Sequence, residues 1–194
     1  MLEKIIIYYY YVIYRYLFYL GIKIIKGGNF MEENNDKVYT RYHLILELSS
    51  WAIMLVAYGI AIYGINTLPD TIATHFDAHG IPDGYGSPGT LLILPIIMTL
   101  VLGLLSLIAH TAPSDAINLP FKVNENRRVE VDRLCVGVVF VFNLLASIFT
   151  VIMTYLAYKQ AGKAGLAAVI AYLACMAIVI TTGIIKAKNI NDRE

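Results

Sequence analysis

Apolar residues in this chain gather in blocks of twenty or more, and the charged residues fall almost entirely between the blocks. A membrane helix needs about 20 apolar residues to cross roughly 30 Å of hydrocarbon. The pattern therefore predicts spanning helices near Leu44–Ile65, Thr90–His110, Leu134–Tyr158 and Lys163–Ile185. Backbone groups in lipid must pair within their own segment, which makes the blocks helices rather than strands. The expected fold class is all-α integral membrane: a four-helix transmembrane bundle over residues 31–194, with a structured loop at 66–89.

Composition agrees. Hydrophobic residues make up 58% of the chain and charged residues only 15%, where a soluble domain carries about a quarter. A net charge of +1 with no basic cluster argues against a nucleic-acid partner. The lipid bilayer is the partner the composition implies.

Orientation follows from the connections. Asn66–Gly89 holds no Lys or Arg, whereas Thr111–Arg133 holds Lys122, Arg127, Arg128 and Arg133. Lys37 and Arg41 precede the first helix, and Lys186, Lys188 and Arg193 follow the end of the fourth block. The turn between the third and fourth helices has only Lys159 and Lys163, so one side carries nine basic residues and the other two. By the positive-inside rule the chain is a multi-pass cell-membrane protein with both termini of the 31–194 core in the cytoplasm and 66–89 extracytoplasmic.

Within the blocks, Ala164, Ala167, Ala168, Ala171, Ala174 and Ala177 give the fourth helix small residues that let a neighbouring backbone approach, in the bundle or in a helix-mediated homo-oligomer. Asn143, Ser147, Thr150 and Thr154 form a polar row on the third, readable as interhelical hydrogen bonding or as a substrate path. Cys135 and Cys175 read as small core residues. Glu47, in the first turn of the first helix, reads as an acid that reaches the interface and suits a helix N-terminus, and His110 as a base at a helix C-terminus.

Residues 1–30 differ in character. They hold seven of the fifteen tyrosines, and Arg15 in mid-block would cost a fifth spanning helix about 3 kcal/mol. No small-residue cleavage site follows, which argues against a secretory signal. Lys26-Gly27-Gly28-Asn29-Phe30-Met31 can be encoded as AAA GGA GGN AAY TTY ATG, a ribosome-binding sequence just before a start codon. The expectation is that Met31 is the true start and residues 1–30 a mis-annotated extension.

Chemistry concentrates in 66–89, longer than a helical hairpin needs and therefore functional or disordered. Ile72, Phe76, Ile81 and Tyr85 supply apolar anchors and Pro82-Asp83-Gly84 the residues of a turn, so a folded cap on the helix ends is expected. In an extended segment His75, Asp77 and His79 would share a face, with Asp83 nearby. Two imidazoles and a carboxylate suit zinc or another divalent metal; the alternative is that they bond the loop to itself. Asp70, Asp77 and Asp83 give the loop a charge of −3.

Leu68-Pro69, Ile72, His75-Phe76-Asp77, Gly80 and Asp83-Gly84-Tyr85-Gly86-Ser87, in this spacing, resemble the membrane family called domain of unknown function 1648, which includes SdpI-type immunity proteins. Asn118–Asn126 is similar to that family's cytoplasmic connection ending in Glu-x-Asn. The chain departs at Ala73, where the family usually has Pro, and at Pro88, where Lys is common. The resemblance implies motif residues Pro69, Ile72, His75, Phe76, Asp77, Gly80, Asp83, Gly84, Tyr85 and Asn126. It also implies protection against a secreted peptide toxin, or signalling through a peptide ligand.

The sequence thus points to a non-enzymatic membrane protein that recognises an extracellular peptide or ligand through loop 66–89. A metal-dependent membrane hydrolase using His75, Asp77 and His79 is the first alternative, although no HExxH, nucleophile elbow or paired intramembrane acids appear. A small transporter subunit is the second, weakened by the lack of mid-membrane charge and of broken helices.

Overall fold

A computed structural model describes residues 38–77, 79–111 and 118–193; the expectation about residues 1–30 lies outside them. The first helix, α1, is Arg41–Thr67. Thr40 precedes it in extended conformation, and its N–H donates to Nδ1 of His43 at 3.2 Å. This is the reciprocal half of a capping box, with imidazole where Glu or Gln is usual. α1 stops before Leu68-Pro69, since a residue ahead of proline is steered out of the helical region.

The chain then forms an antiparallel hairpin, β1 (Ile72–Phe76) and β2 (Pro82–Gly86). A 3-10 turn, Pro88–Leu92, leads into α2 (Ile93–Thr111), with Ser87 Oγ accepting the Gly89 N–H at 3.2 Å as its cap. A second 3-10 turn, Glu125–Arg127, opens α3 (Arg128–Tyr158), and α4 is Gly162–Asn191. Helix α3 begins six residues before its hydropathy block at Leu134. Arg127–Glu130 at 3.1 Å and Arg128–Asp132 at 3.3 Å, three and four residues apart, support that charged first turn.

Among the described residues four helices are long and apolar enough to cross a membrane, which marks a multi-pass membrane protein. The hairpin lies between α1 and α2, so it defines one end of the bundle; Thr40 and Asn191 lie at the other, the terminal end.

Helix α1 lies along α3 more extensively than along any other element, and α4 packs chiefly on α3. Three small clusters make the interior: Met54, Ala57, Leu102 and Ala146 at mid-bundle, Leu46, Val136 and Phe140 toward the terminal end, and Ala61, Ile72 and Leu91 beneath the hairpin. Large apolar side chains such as Leu55, Ile62, Leu100, Ile170 and Leu173 face outward. Lipid tails receive such groups as readily as a protein core does.

One expectation is narrowed here to its homo-oligomer alternative, and one is corrected. Ala164, Ala167, Ala171, Ala174 and Ala177 are exposed, so the small-residue face of α4 points away from the bundle; Met176 and a Phe149–Tyr172 stack at 4.4 Å make its contact with α3. Cys175 is exposed for the same reason, since α4 buries only one side, whereas Cys135 is half-buried. The polar row of α3 does face inward: Asn143, Ser147, Thr150 and Thr154 are all buried. Of these four, Asn143 alone bonds across helices among the described residues, donating to Ser106 Oγ at 3.2 Å and to the Leu102 carbonyl at 3.5 Å on α2. Ser147 and Thr150 donate to their own helix, at the Leu144 and Ala146 carbonyls.

Candidate functional site

The hairpin turn is built by Asp77. Its Oδ1 accepts the N–H groups of His79 at 2.9 Å and Ile81 at 2.8 Å, while its own N–H donates to the Ile81 carbonyl. Gly80 completes the reversal with φ of +76°, a conformation that glycine adopts without a Cβ penalty. The turn therefore falls at 77–81. Pro82-Asp83-Gly84, expected to turn, lies in β2 instead, since an exposed edge strand tolerates Pro and Gly.

A second feature anchors the hairpin. The α3–α4 junction is a Schellman-type cap in which Ala161 N–H donates to the Leu156 carbonyl and Gln160 N–H to that of Ala157. The residue usually found in its left-handed position is glycine, but here it is Gln160, at φ +53°. Its side chain accepts the Ala73 N–H at 2.7 Å and donates to the Ala73 carbonyl at 3.4 Å, as a neighbouring strand would. Beside it the Phe76 ring occupies the space a Cβ on Gly162 would need, and Gly80 sits against the Lys163 backbone.

The motif thus divides into two sets. Ile72 is buried between α1 and the 3-10 turn Pro88–Leu92, Phe76 lies on Gly162, and Asp77 and Gly80 shape the turn. Gly84 fits closely over the His75 Cβ. His75, Asp83 and Tyr85 are displayed instead, with Tyr85 68% exposed. His75 Nδ1 and Asp83 Oδ1 meet at 2.5 Å, yet their side chains remain 72% and 48% exposed, so the pair adds little stability. Pro69 is exposed at the strand approach, and Asn126 lies at the terminal end, its N–H bonded to Asn124 Oδ1. The structure does not bring Asn126 to the hairpin.

Nor does it bring His75, Asp77 and His79 around one point. Strand β1 ends at Phe76, so the two-residue alternation that would align them stops before Asp77. His75 is engaged with Asp83, and Asp77 with the turn amides. Among the described residues no group of three or more His, Cys, Asp or Glu side chains is disposed to hold a metal ion.

The terminal end holds a cluster that sequence reasoning underrated. Glu47 does not reach the interface: it is buried, its Oε2 accepting the Tyr39 hydroxyl at 2.8 Å and lying 3.1 Å from His110 Nε2. His43, also buried, stacks on Phe140, whose ring is contacted by Tyr39 and His110 as well. The signal available was the spacing His43, Glu47 on one helical face. Its partners on α2 and ahead of α1 were not adjacent in sequence.

A membrane-spanning helical bundle closed at one end by a tethered hairpin is the class these features define. Residues 52–99 match the family described as Domain of unknown function (DUF1648). The match runs from α1 through the hairpin into α2, and leaves out both the Asn118–Asn126 patch and Gln160. No curated protein and no solved structure matches the chain.

Proposed function

We propose that the chain is a cell-surface recognition protein, with the hairpin facing outward and both core termini in the cytoplasm. One observation carries the reading: the hairpin is pinned to the bundle by Gln160, while its His75–Asp83 pair and the Tyr85 and Ile81 side chains stay exposed and contribute little to the fold. A rigid scaffold displaying an amphipathic aromatic and a polar pair is the arrangement recognition surfaces use, because little ordering entropy is lost on binding.

The distribution of nine basic residues at one end and two at the other supports the orientation. Asp70, Asp77 and Asp83, with no Lys or Arg between residues 66 and 89, favour a cationic ligand. The resemblance of the Leu68–Ser87 motif to SdpI-type immunity proteins supports immunity to a membrane-active peptide, or signalling through one, as the outcome.

Two measurements test this. A thiol placed by Ser87→Cys, with Cys135→Ser and Cys175→Ser, should react with an impermeant maleimide on intact cells; protection until lysis means the orientation is inverted. Expression at matched membrane levels should raise survival against at least one peptide in a cationic membrane-active panel, and Tyr85→Ala and Asp83→Ala should remove the gain. Killing unchanged across the panel sinks the immunity reading.

A further inference from the structure

The two strands of the hairpin differ in what lies along their outer edges. The sheet is two-stranded, so β1 and β2 pair with each other along one edge only. At the outer edge of β1, Ala73 donates its N–H to the Gln160 side chain and accepts from it at its carbonyl. Those groups therefore point away from β2, which makes Ala73 and Tyr85 a non-hydrogen-bonded antiparallel pair. By the same geometry the N–H and C=O of Tyr85 point away from β1. Gln160 serves this edge for Ala73; among the described residues nothing serves it for Tyr85, and β1 alone packs extensively on β2.

The open edge is short. Pro82 has no N–H, and Asp83 has no opposite residue, because His75 pairs with Gly84 and Phe76 with Pro82. A proline and a bulge keep a strand edge from pairing without limit. Beyond them β2 continues through Tyr85 and Gly86, and Ser87 is still extended at φ −67° and ψ 147°. The edge thus admits a short extended segment at Tyr85. When a peptide adds to a sheet, main-chain bonds give affinity and neighbouring side chains choose the partner. The neighbours here are the exposed carboxylates of Asp83, on the strand itself, and Asp70, ahead of β1. Lys159 and Lys163 belong to the α3–α4 junction that seats β1 and the turn, and Lys159 lies over the Tyr155 and Tyr158 rings. The β2 side therefore presents negative charge to a partner.

We propose that an extended segment of a cationic peptide adds to the outer edge of β2, its main chain pairing with the N–H and C=O of Tyr85 and a basic side chain lying beside Asp83. This deepens the recognition reading above and rests on it for the ligand's charge.

The full-length protein, in micelles of an uncharged detergent, is titrated with an acetylated, amidated peptide of alternating lysine and valine, about six residues long, the usual strand length. Its fully N-methylated form keeps the side chains and charges but has no N–H. The parent peptide should bind about tenfold or more tightly than the methylated one, as the loss of main-chain hydrogen bonds requires. It should also slow amide hydrogen exchange at Tyr85 about tenfold. Tyr85→Pro, which removes the outward N–H and no bond of the hairpin, should weaken the parent peptide to the level of the methylated one. Exchange at Ala73 reports whether that variant keeps its hairpin; if it does not, the methylated peptide on the wild-type protein decides alone. Asp83→Asn should weaken the parent peptide, and a peptide of alternating glutamate and valine should not bind. Absence of binding, equal binding of the methylated or glutamate peptide, or unchanged exchange at Tyr85 with peptide bound overturns the proposal. So does a Tyr85 amide already protected in the protein alone and exposed on dilution, because a second copy would then cover the edge. Pairing at Tyr85 without any survival gain in the toxin panel would keep the edge and remove the immunity reading instead.

Discussion

Gln160 and Ala73, 87 positions apart, are joined twice, the side-chain amide of one accepting from and donating to the backbone of the other. Two such bonds contribute about 1–3 kcal/mol net, while a left-handed conformation costs a non-glycine residue about 1–2 kcal/mol. The terms nearly offset, which explains why the helix cap can hold Gln where glycine is usual. The gain is positional: the hairpin has a fixed seat on the α3–α4 junction.

Gln160→Gly therefore separates seat from stability. It relieves the strain and deletes the tether, so the thermal midpoint should hardly move while amide hydrogen exchange at Ala73 rises about tenfold, the equivalent of about 1.4 kcal/mol. Gln160→Ala keeps the strain, so it should show the same faster exchange together with a lower midpoint. Unchanged exchange at Ala73 in both variants would mean that the tether holds nothing.

Gly80 offers a harsher test of the same seat. An alanine there would combine φ of +76° with a Cβ 2.7 Å from the Lys163 backbone nitrogen and 2.8 Å from its Cα. Gly80→Ala should destabilise by at least about 1–2 kcal/mol from the conformation alone, read as a falling thermal midpoint. Gly89→Ala, whose Cβ would meet nothing closer than Ser87 Oγ at 3.5 Å, is the control and should stay within about 0.5 kcal/mol of wild type.

At the opposite end, Glu47 is the acceptor for Tyr39 and the neighbour of His110. Glu47→Ala leaves buried polar groups without it and should cost about 1–3 kcal/mol. Glu47→Gln keeps a carbonyl oxygen in place and should recover most of the loss. If both variants unfold at the wild-type midpoint in detergent or bilayer, the cluster has no part in joining α1 to α2.

Features set by local physics are legible in this sequence, and features set by distant partners are not. Four spans were legible because backbone groups in lipid admit little but helices. Of the four expected apolar anchors, Ile72 and Phe76 do seat the hairpin, whereas Ile81 and Tyr85 are exposed because among the described residues nothing packs over the outer face of β2 and the turn. The turn at Asp77–Ile81 was missed because Pro82-Asp83-Gly84 carries stronger turn composition, and only a carboxylate folded back on two amides reveals the actual reversal. Gln160 gave no signal: a glutamine at a helix end is unremarkable until Ala73 stands beside it. Glu47 was misread because helix-end position suggests access to water, while Tyr39, His110 and Phe140 close over it. The exposed alanines of α4 show the converse: composition marks a face fit for close approach without telling a neighbour in the same bundle from one in a second copy.

Asn143 decides whether the buried polar row is structural or functional. Its amide nitrogen bonds to α2, but its Oδ1 is buried without a hydrogen-bond partner among the described residues, as is Thr154 Oγ1. Interhelical polar bonds in membranes average about 0.6 kcal/mol, whereas a buried unsatisfied acceptor costs about 1–3 kcal/mol. Asn143→Leu, which keeps the branched shape with somewhat larger methyl groups, should thus be neutral or stabilising by up to about 2 kcal/mol in a bilayer unfolding measurement, and Ser106→Ala should change little. If the leucine variant is as stable as wild type but loses peptide protection, the row serves function; if it is clearly destabilised, Asn143 is holding α2 to α3 through more than the two bonds it donates.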